Sequence, residues 1–355
     1  MGKLNWLLIF ILVSILAKAA HAAPVLVFFS ACLAIIPLAG LMGKATEELS
    51  VHLGPGLGGL LNATFGNAAE LIITIFAIRQ GLLEVVKASI TGSIIGNILL
   101  VLGLSVLAGG TRYRTQKFNS RAAGNHATRL IMAVIGLLVP ALFVHASPGL
   151  NPSAENTPVE FLSLSVAAIL ILVYLAGLAF SFITHKDLFG ETEAGEEPSS
   201  VWAPRVALAV LVVATLFTAL ESEILVGSVE AVVKTLGVTE LFIGVIVVPI
   251  IGNAAEHGTA LMMAMRDKMD LTLNIAIGSS IQIALFVAPL LVFISLFLGH
   301  PMTYIFNQFE LVSIGSAVVI ANFISQDGES NWLEGVHLLA AYLIIALAFF
   351  FIPMH

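Results

Sequence analysis

The sequence predicts an all-α polytopic membrane protein, built from two five-helix repeats of inverted topology with broken helices and preceded by one extra N-terminal helix. Three observations predict it. Of 355 residues, 59% are hydrophobic and 10% charged, with a mean hydropathy of +1.03, a balance unlike that of a soluble domain of this size. Apolar stretches long enough to cross a bilayer recur along the chain. The pentapeptide Gly-Asn-Ala-Ala-Glu occurs at 66–70 and again at 252–256, each time inside such a stretch.

Eleven spans can be laid out, at 6–22, 24–43, 57–79, 84–108, 130–146, 159–183, 204–228, 237–265, 271–298, 304–325 and 333–353. The first competes with a signal-peptide reading, because Lys3, an apolar run and Ala-His-Ala at 20–22 mimic a cleavable leader. Both readings deliver residue 24 to the same side. Of the 15 Lys and Arg residues, eleven fall on one side of the eleven-span arrangement: Lys3, Lys44, Arg112, Arg114, Lys117, Arg121, Arg129, Lys186, Arg205, Arg266 and Lys268. The positive-inside rule makes that side cytoplasmic, with the N-terminus on it and His355 outside. A prokaryotic inner (plasma) membrane is the expected location, from the short termini and small linker.

The repeat is the most informative feature. At a constant offset of 186 and without gaps, residues 66–103 align on 252–289 with ten of 38 identical, and seven of those ten are Gly, Asn, Ala, Glu or Ser rather than the Leu, Ile and Val that chance would favour. Residues 1–23 are then the extra helix, 24–183 the first repeat, 184–203 an acidic cytoplasmic linker and 204–355 the second repeat. Five crossings is an odd number, so the second copy enters from the opposite face, and folds of that kind place their site where the broken helices of the two copies meet.

Glu70 and Glu256 carry the chemistry. A carboxylate in the hydrocarbon region costs about 2.5–3.5 kcal/mol even on the mildest scale, and two identically placed after a Gly point to a site that needs negative charge. The net charge of −7 is partly local, five of the 22 acidic residues lying in the linker, and no basic face suits a nucleic acid. Cys32 stands alone, which excludes an intramolecular disulfide and leaves it as a core residue.

The stretch from Glu221 to Val287, containing IIGNAAEHGTALMM and LTLNIAIGSSIQIALFV, and the pair LNATFGNAAELI and ITGSIIGN in the first half, resemble the two signature regions of the Ca²⁺/H⁺ exchangers, the CAX family of the cation/Ca²⁺ exchanger superfamily. The resemblance covers residues 24–353. Asn274 and Ile281 depart from it, standing where the family pattern has Gly and Thr. It implies a ten-helix core with a dispensable first helix, and Ca²⁺ held by Glu70 and Glu256. It also implies a secondary active antiporter that exports Ca²⁺ from the cytoplasm in exchange for H⁺ by alternating access.

The residue chemistry agrees with that implication. Asn67 and Glu70 are three apart and share a helical face, Gly66 precedes them where the backbone is to break, and carboxylate, amide oxygen and carbonyl are the hard ligands Ca²⁺ takes. Gly252, Asn253 and Glu256 repeat the set. A second layer is expected from Ser93 and Asn97, beside Gly92 and Gly96, and from Ser279, Ser280 and Gln282 after Gly278, although these serines also suit plain helix packing. His257, Glu47 and Glu230 are candidates for proton or ion access; a neutral buried histidine and solvated helix ends are the plainer readings. The acidic linker, HKDLFGETEAGEEPSS, reads as a hydrophilic connector, with a Ca²⁺ lure as the sharper alternative.

An empty site with both carboxylates ionised carries two negative charges, which one Ca²⁺ or two protons neutralise, and the close pair titrates as a unit. Loaded states then switch access and the empty state does not. The chain has no phosphate-binding loop of the Gly-x4-Gly-Lys type and no catalytic cluster, so it reads as a transporter and not an enzyme. It needs no cofactor, with Ca²⁺ and H⁺ as cargo and the bilayer as surroundings; homo-oligomerisation stays open. A Na⁺/Ca²⁺ or other monovalent cation exchanger is the alternative, with an intramembrane metallohydrolase or a Glu-lined channel more remote.

Overall fold

A computed structural model describes residues 5–147, 157–185 and 201–352. The acidic run of residues 186–200 lies outside them, as do Lys3, Asn151 and His355. The described chain is almost wholly helical. Its helices are α1 (Ile9–Ala19), α2 (Pro24–Phe65), α3 (Ala68–Arg79), α4 (Leu83–Ile95), α5 (Leu102–Gly110), α6 (Ser120–Ala146) and α7 (Pro158–Ala179). After the linker come α8 (Pro204–Val226), α9 (Val229–Leu236), α10 (Glu240–Gly252), α11 (Ala254–Ala264), α12 (Met269–Gln282), α13 (Ala288–Phe297), α14 (Gln308–Ile324) and α15 (Trp332–Phe351). The strands β1 (Gln116–Lys117) and β2 (Glu329–Ser330) pair antiparallel.

The ends follow local chemistry. Pro stands first in α2, α7 and α8, where its missing N–H has no helical partner to lose. Asn119 caps α6 by accepting from the Arg121 and Ala122 amides, and Asn307 with Glu310 forms a capping box on α14. Gly237, at φ +66°, closes α9 in the left-handed conformation, and α9 and α10 meet at a 114° bend.

Among the described residues seven helical segments are long and apolar enough to cross a membrane, eight if the bent α9–α10 pair is one span, with the shorter apolar helices Asn5–Ala19 and Gln308–Ile324 besides. Two expected boundaries differ. The sequence left 44–56 between two spans, but α2 stays helical through it and bends sharply: the Ser50 hydroxyl donates to the Gly58 carbonyl at 2.9 Å, whereas residues eight apart in a straight helix lie about 12 Å apart. And α6 starts ten residues before the expected 130, because Asn119 supplies its cap.

The chain divides into two compact units, each assembled from both halves of the sequence. The first comprises Met1–Ser89, Glu193–Glu256 and Ala348–His355. Its centre is the long contact between α2 and α8, with α1 and α3 against both and α9 and α10 against α2. Leu38, Met42, Ala45, Ala68, Leu211 and Ala214 form its buried core, which Leu8, Ile11 and Trp202 flank. The second comprises Ile90–Thr192 and His257–Leu347, where α6 packs on α7, α12 and α14, and α7 on α13. Within it the repeat has a structural signature. A π-helical turn interrupts the first copy at Gly96–Val101 and the second at Ile283–Val287, the two ending 186 residues apart, while π turns at Phe180–Thr184 and Ile243–Val247 have no such counterpart. Such turns insert an extra residue into a helix and are frequent where a helix does something besides pack.

Candidate functional site

Both copies of the Gly-Asn-Ala-Ala-Glu motif break their helix at the Asn. Asn67 has φ −103°, ψ 24° and Asn253 φ −96°, ψ 5°, the sparsely occupied bridge region common at functional sites. The expected break at Gly66 is corrected by one residue. Gly66 is helical, at φ −56°, ψ −42°, and donates its N–H to Asn62 at 2.8 Å. The Asn is where α2 gives way to α3, and where α10 gives way to α11.

What the Gly of the motif supplies is space. A Cβ on Gly252 would stand 2.6 Å from Glu70 Oε1, 2.9 Å from its Cδ and 3.0 Å from its Cγ, so the Glu70 carboxyl lies flat on the α-carbon of the opposite copy's glycine. The first unit therefore brings together Glu70 from one repeat with Gly252, Asn253 and Glu256 from the other. Glu70 is 3% exposed, and neither carboxylate oxygen closes a hydrogen bond of good geometry, although the Asn253 side chain lies against it and the Glu256 charge acts on it. Asn67 and Asn253 are fully buried, and the Asn253 amide donates to the Pro249 carbonyl at 3.1 Å, which orients its oxygen. Glu256 is half-buried. Thr74 anchors the turn beneath Glu70 by donating to the Glu70 carbonyl at 2.7 Å.

A buried carboxylate with open lone pairs beside a second carboxylate is strongly unfavourable unless something positive neutralises it. The donors are all hard oxygens, the set a divalent cation such as Ca²⁺ accepts, and a pair of protons would serve equally. Among the described residues no group of three His, Cys, Asp or Glu gathers anywhere, so the carboxylates here would need the Asn oxygens and backbone carbonyls beside them.

The remaining predicted residues are placed differently. Ser93, Asn97, Ser279 and Ser280 are buried and Gln282 half-buried, all in the second unit, where α12 packs on the first π turn. Ser280 donates to the carbonyls of Ala276 (3.1 Å) and Ile94 (3.4 Å), which is ordinary helix packing. Asn97 lies in the π turn with its amide nitrogen unpartnered among the described residues. A Cβ on Gly96, beside Asn97, or on Gly278, before Ser279, would meet no neighbour within 4 Å. His257 is half-buried, and its Nε2 has no partner among the described residues. Glu47 and Glu230 are exposed, and Glu230 faces Lys234 at 3.8 Å across a solvated helix turn, the plain reading for both.

Glu48 and Glu221, which lie near ends of apolar spans in the sequence, are buried. Glu48 accepts the N–H groups of Val201 and Trp202 at 2.8 and 3.0 Å, while Lys44 lies 4.7 Å over the Trp202 ring. Asn274, the departure from the family pattern, meets buried His126 at 2.8 Å.

With this geometry in place, likeness to known proteins becomes informative. The sodium/calcium exchanger protein family matches residues 23–183 and 206–351. The chain belongs to that family. Within the exchanger family it is 49% identical over 362 residues to the Ca²⁺/H⁺ antiporter of Aphanothece halophytica, covering 98% of this chain and 96% of that one. It is 46% identical over 343 residues to the Ca²⁺/H⁺ antiporter ChaA of Bacillus subtilis (strain 168), covering 95% of each. Among solved structures, native YfkE superposes with a TM-score of 0.85 at 42% identity, covering 98% of this chain and all of that exchanger.

Proposed function

We propose that this exchanger moves Ca²⁺ out of the cytoplasm against an inward flow of protons, and that Glu70 and Glu256, with Asn67 and Asn253, hold the cation. The observation that carries the reading is the buried Glu70 carboxyl resting on Gly252, beside Asn253 and Glu256. One Ca²⁺ or two protons neutralise that pair, so each is a stable load and the empty, doubly charged site is not. Exchange without ATP follows if only neutralised states change access. The identity with curated Ca²⁺/H⁺ antiporters over nearly the whole chain supports the cargo. The matched breaks at Asn67 and Asn253 and the matched π turns support two copies of one unit. Eleven spans, inverted repeats and a cytoplasmic N-terminus complete the reading, on the asymmetry of Lys and Arg.

Purified protein in proteoliposomes with an imposed pH gradient tests it. Wild type takes up Ca²⁺ as protons leave, while Glu70→Gln and Glu256→Gln fold but do not, because Gln keeps the shape and removes both the charge and the exchangeable proton. Uptake driven by Na⁺ and indifferent to pH would assign the chain to the Na⁺/Ca²⁺ alternative.

A further inference from the structure

Glu221 is a carboxylate buried outside the candidate site. It lies in α8, a helix apolar enough to span, and is 0% exposed. One oxygen accepts the Ser14 hydroxyl of α1 at 2.8 Å, from 207 residues away in sequence, and Oε2 has no partner among the described residues. Ser14 also donates to the Ile11 carbonyl at 2.9 Å, so its hydrogen is shared between the two acceptors. One turn further along α1, the charge of exposed Lys18 acts on Glu221.

Nothing structural accounts for this acid. Among the described residues the other buried carboxylates outside the site have both oxygens or several donors engaged: Glu48 accepts the Val201 and Trp202 amides ahead of α8, and Glu310 accepts the Asn307 amide in the α14 capping box and the Thr91 hydroxyl. Glu221 caps no helix and leaves half its carboxylate bare, and an acid in that position is functional by default. Its surroundings lead toward the candidate site through one unit. Thr218, a turn before it, donates to the Met42 sulfur at 3.2 Å. Met42 packs in the same core cluster as Ala68, two residues from Glu70. Thr46 on α2 and Ser222 on α8, the two helices with the longest mutual contact, bury hydroxyls that have no partner among the described residues. Of the helices packed on α8, α1 contributes Lys18, α2 directs Lys44, Glu48 and His52 to Trp202 and holds Glu47 exposed, and α3 carries Glu70 and Arg79.

We infer that Glu221 is a proton-loading residue of the exchange cycle, taking a proton onto Oε2 and passing it on without binding Ca²⁺, with the first helix governing that step through Ser14. On loading, an O–H bond forms on Oε2 with a proton from water; on delivery the bond breaks and the carboxylate returns. α1 is then more than an appendage, since it covers the acid. The inference rests on the Ca²⁺/H⁺ reading above.

Two fluxes separate the roles in the full-length protein. Uptake of Ca²⁺ driven by a pH gradient requires proton loading, whereas exchange of labelled for unlabelled Ca²⁺ at equal pH does not. Glu221→Gln should lower the first by roughly tenfold or more, the scale of a lost proton-transfer group, and leave the second unchanged; Glu221→Asp should restore part of the first. Ser14→Ala should displace the pH profile of driven uptake with Ca²⁺ self-exchange intact. Loss of both fluxes in Glu221→Gln would make Glu221 structural or a cation ligand, and wild-type rates for both would make it a bystander; either result overturns the inference. A wild-type profile in Ser14→Ala would overturn the part assigned to the first helix. Absence of driven uptake in the wild-type protein would instead defeat the Ca²⁺/H⁺ reading itself.

Discussion

The Glu70 carboxyl lies on the α-carbon of Gly252, with Oε1 2.6 Å from where a Cβ would stand. The motif glycine of one repeat is thus the floor beneath the motif glutamate of the other. Gly252→Ala should push the carboxylate aside at a cost of about 1–3 kcal/mol, the usual range for overpacking. Borne wholly by the loaded state, that corresponds to Ca²⁺ affinity falling by roughly 5- to 150-fold. Gly278→Ala is the control, since its Cβ meets no neighbour within 4 Å. Calorimetric Ca²⁺ titration of both variants decides the matter, and equal affinities would mean the contact is incidental.

The second prediction concerns the departure from the family pattern. Asn274 Oδ1 lies 2.8 Å from His126 Nε2, and His126 is 8% exposed. Restoring the family's residue with Asn274→Gly orphans a buried ring nitrogen, a loss of about 1–3 kcal/mol, and the unfolding midpoint in detergent should fall accordingly. His126→Ala combined with Asn274→Gly should then cost less than the sum of the two single changes. Strict additivity would show that the pair contributes nothing to stability.

How far the sequence could be read follows from the range of the interactions. The breaks at Asn67 and Asn253 were legible to within one residue, because an acid in an apolar run after Gly is a local signal repeated at a fixed offset. The role of Gly252 was not, since nothing in a glycine says which side chain will lie on it. Glu221 sat near the end of an apolar span and looked solvated; its burial depends on Ser14, a residue no local pattern links to it. The π turns were equally hidden, because GNILLV and IALFV carry ordinary helical composition. Asn274 could be seen as a departure, but its reason is a histidine on another helix.

The third prediction uses the charge balance of the Glu70 and Glu256 pair. Ca²⁺ binds the ionised carboxylates, and each proton taken up removes one ligand charge, so Ca²⁺ affinity should be greatest at high pH and fall as pH drops. Linkage sets the slope. Where both carboxylates are protonated before Ca²⁺ arrives, two protons leave per cation and affinity should drop by about two log units per pH unit; where both are ionised it should be flat. Glu70→Gln leaves one titrating carboxylate, so whatever weak binding survives should follow a slope of about one. Calorimetry from about pH 5 to about pH 8.5, with and without Na⁺, reads these slopes directly. If affinity were constant with pH and fell instead with added Na⁺, the pair would not be exchanging Ca²⁺ for protons, whatever its geometry.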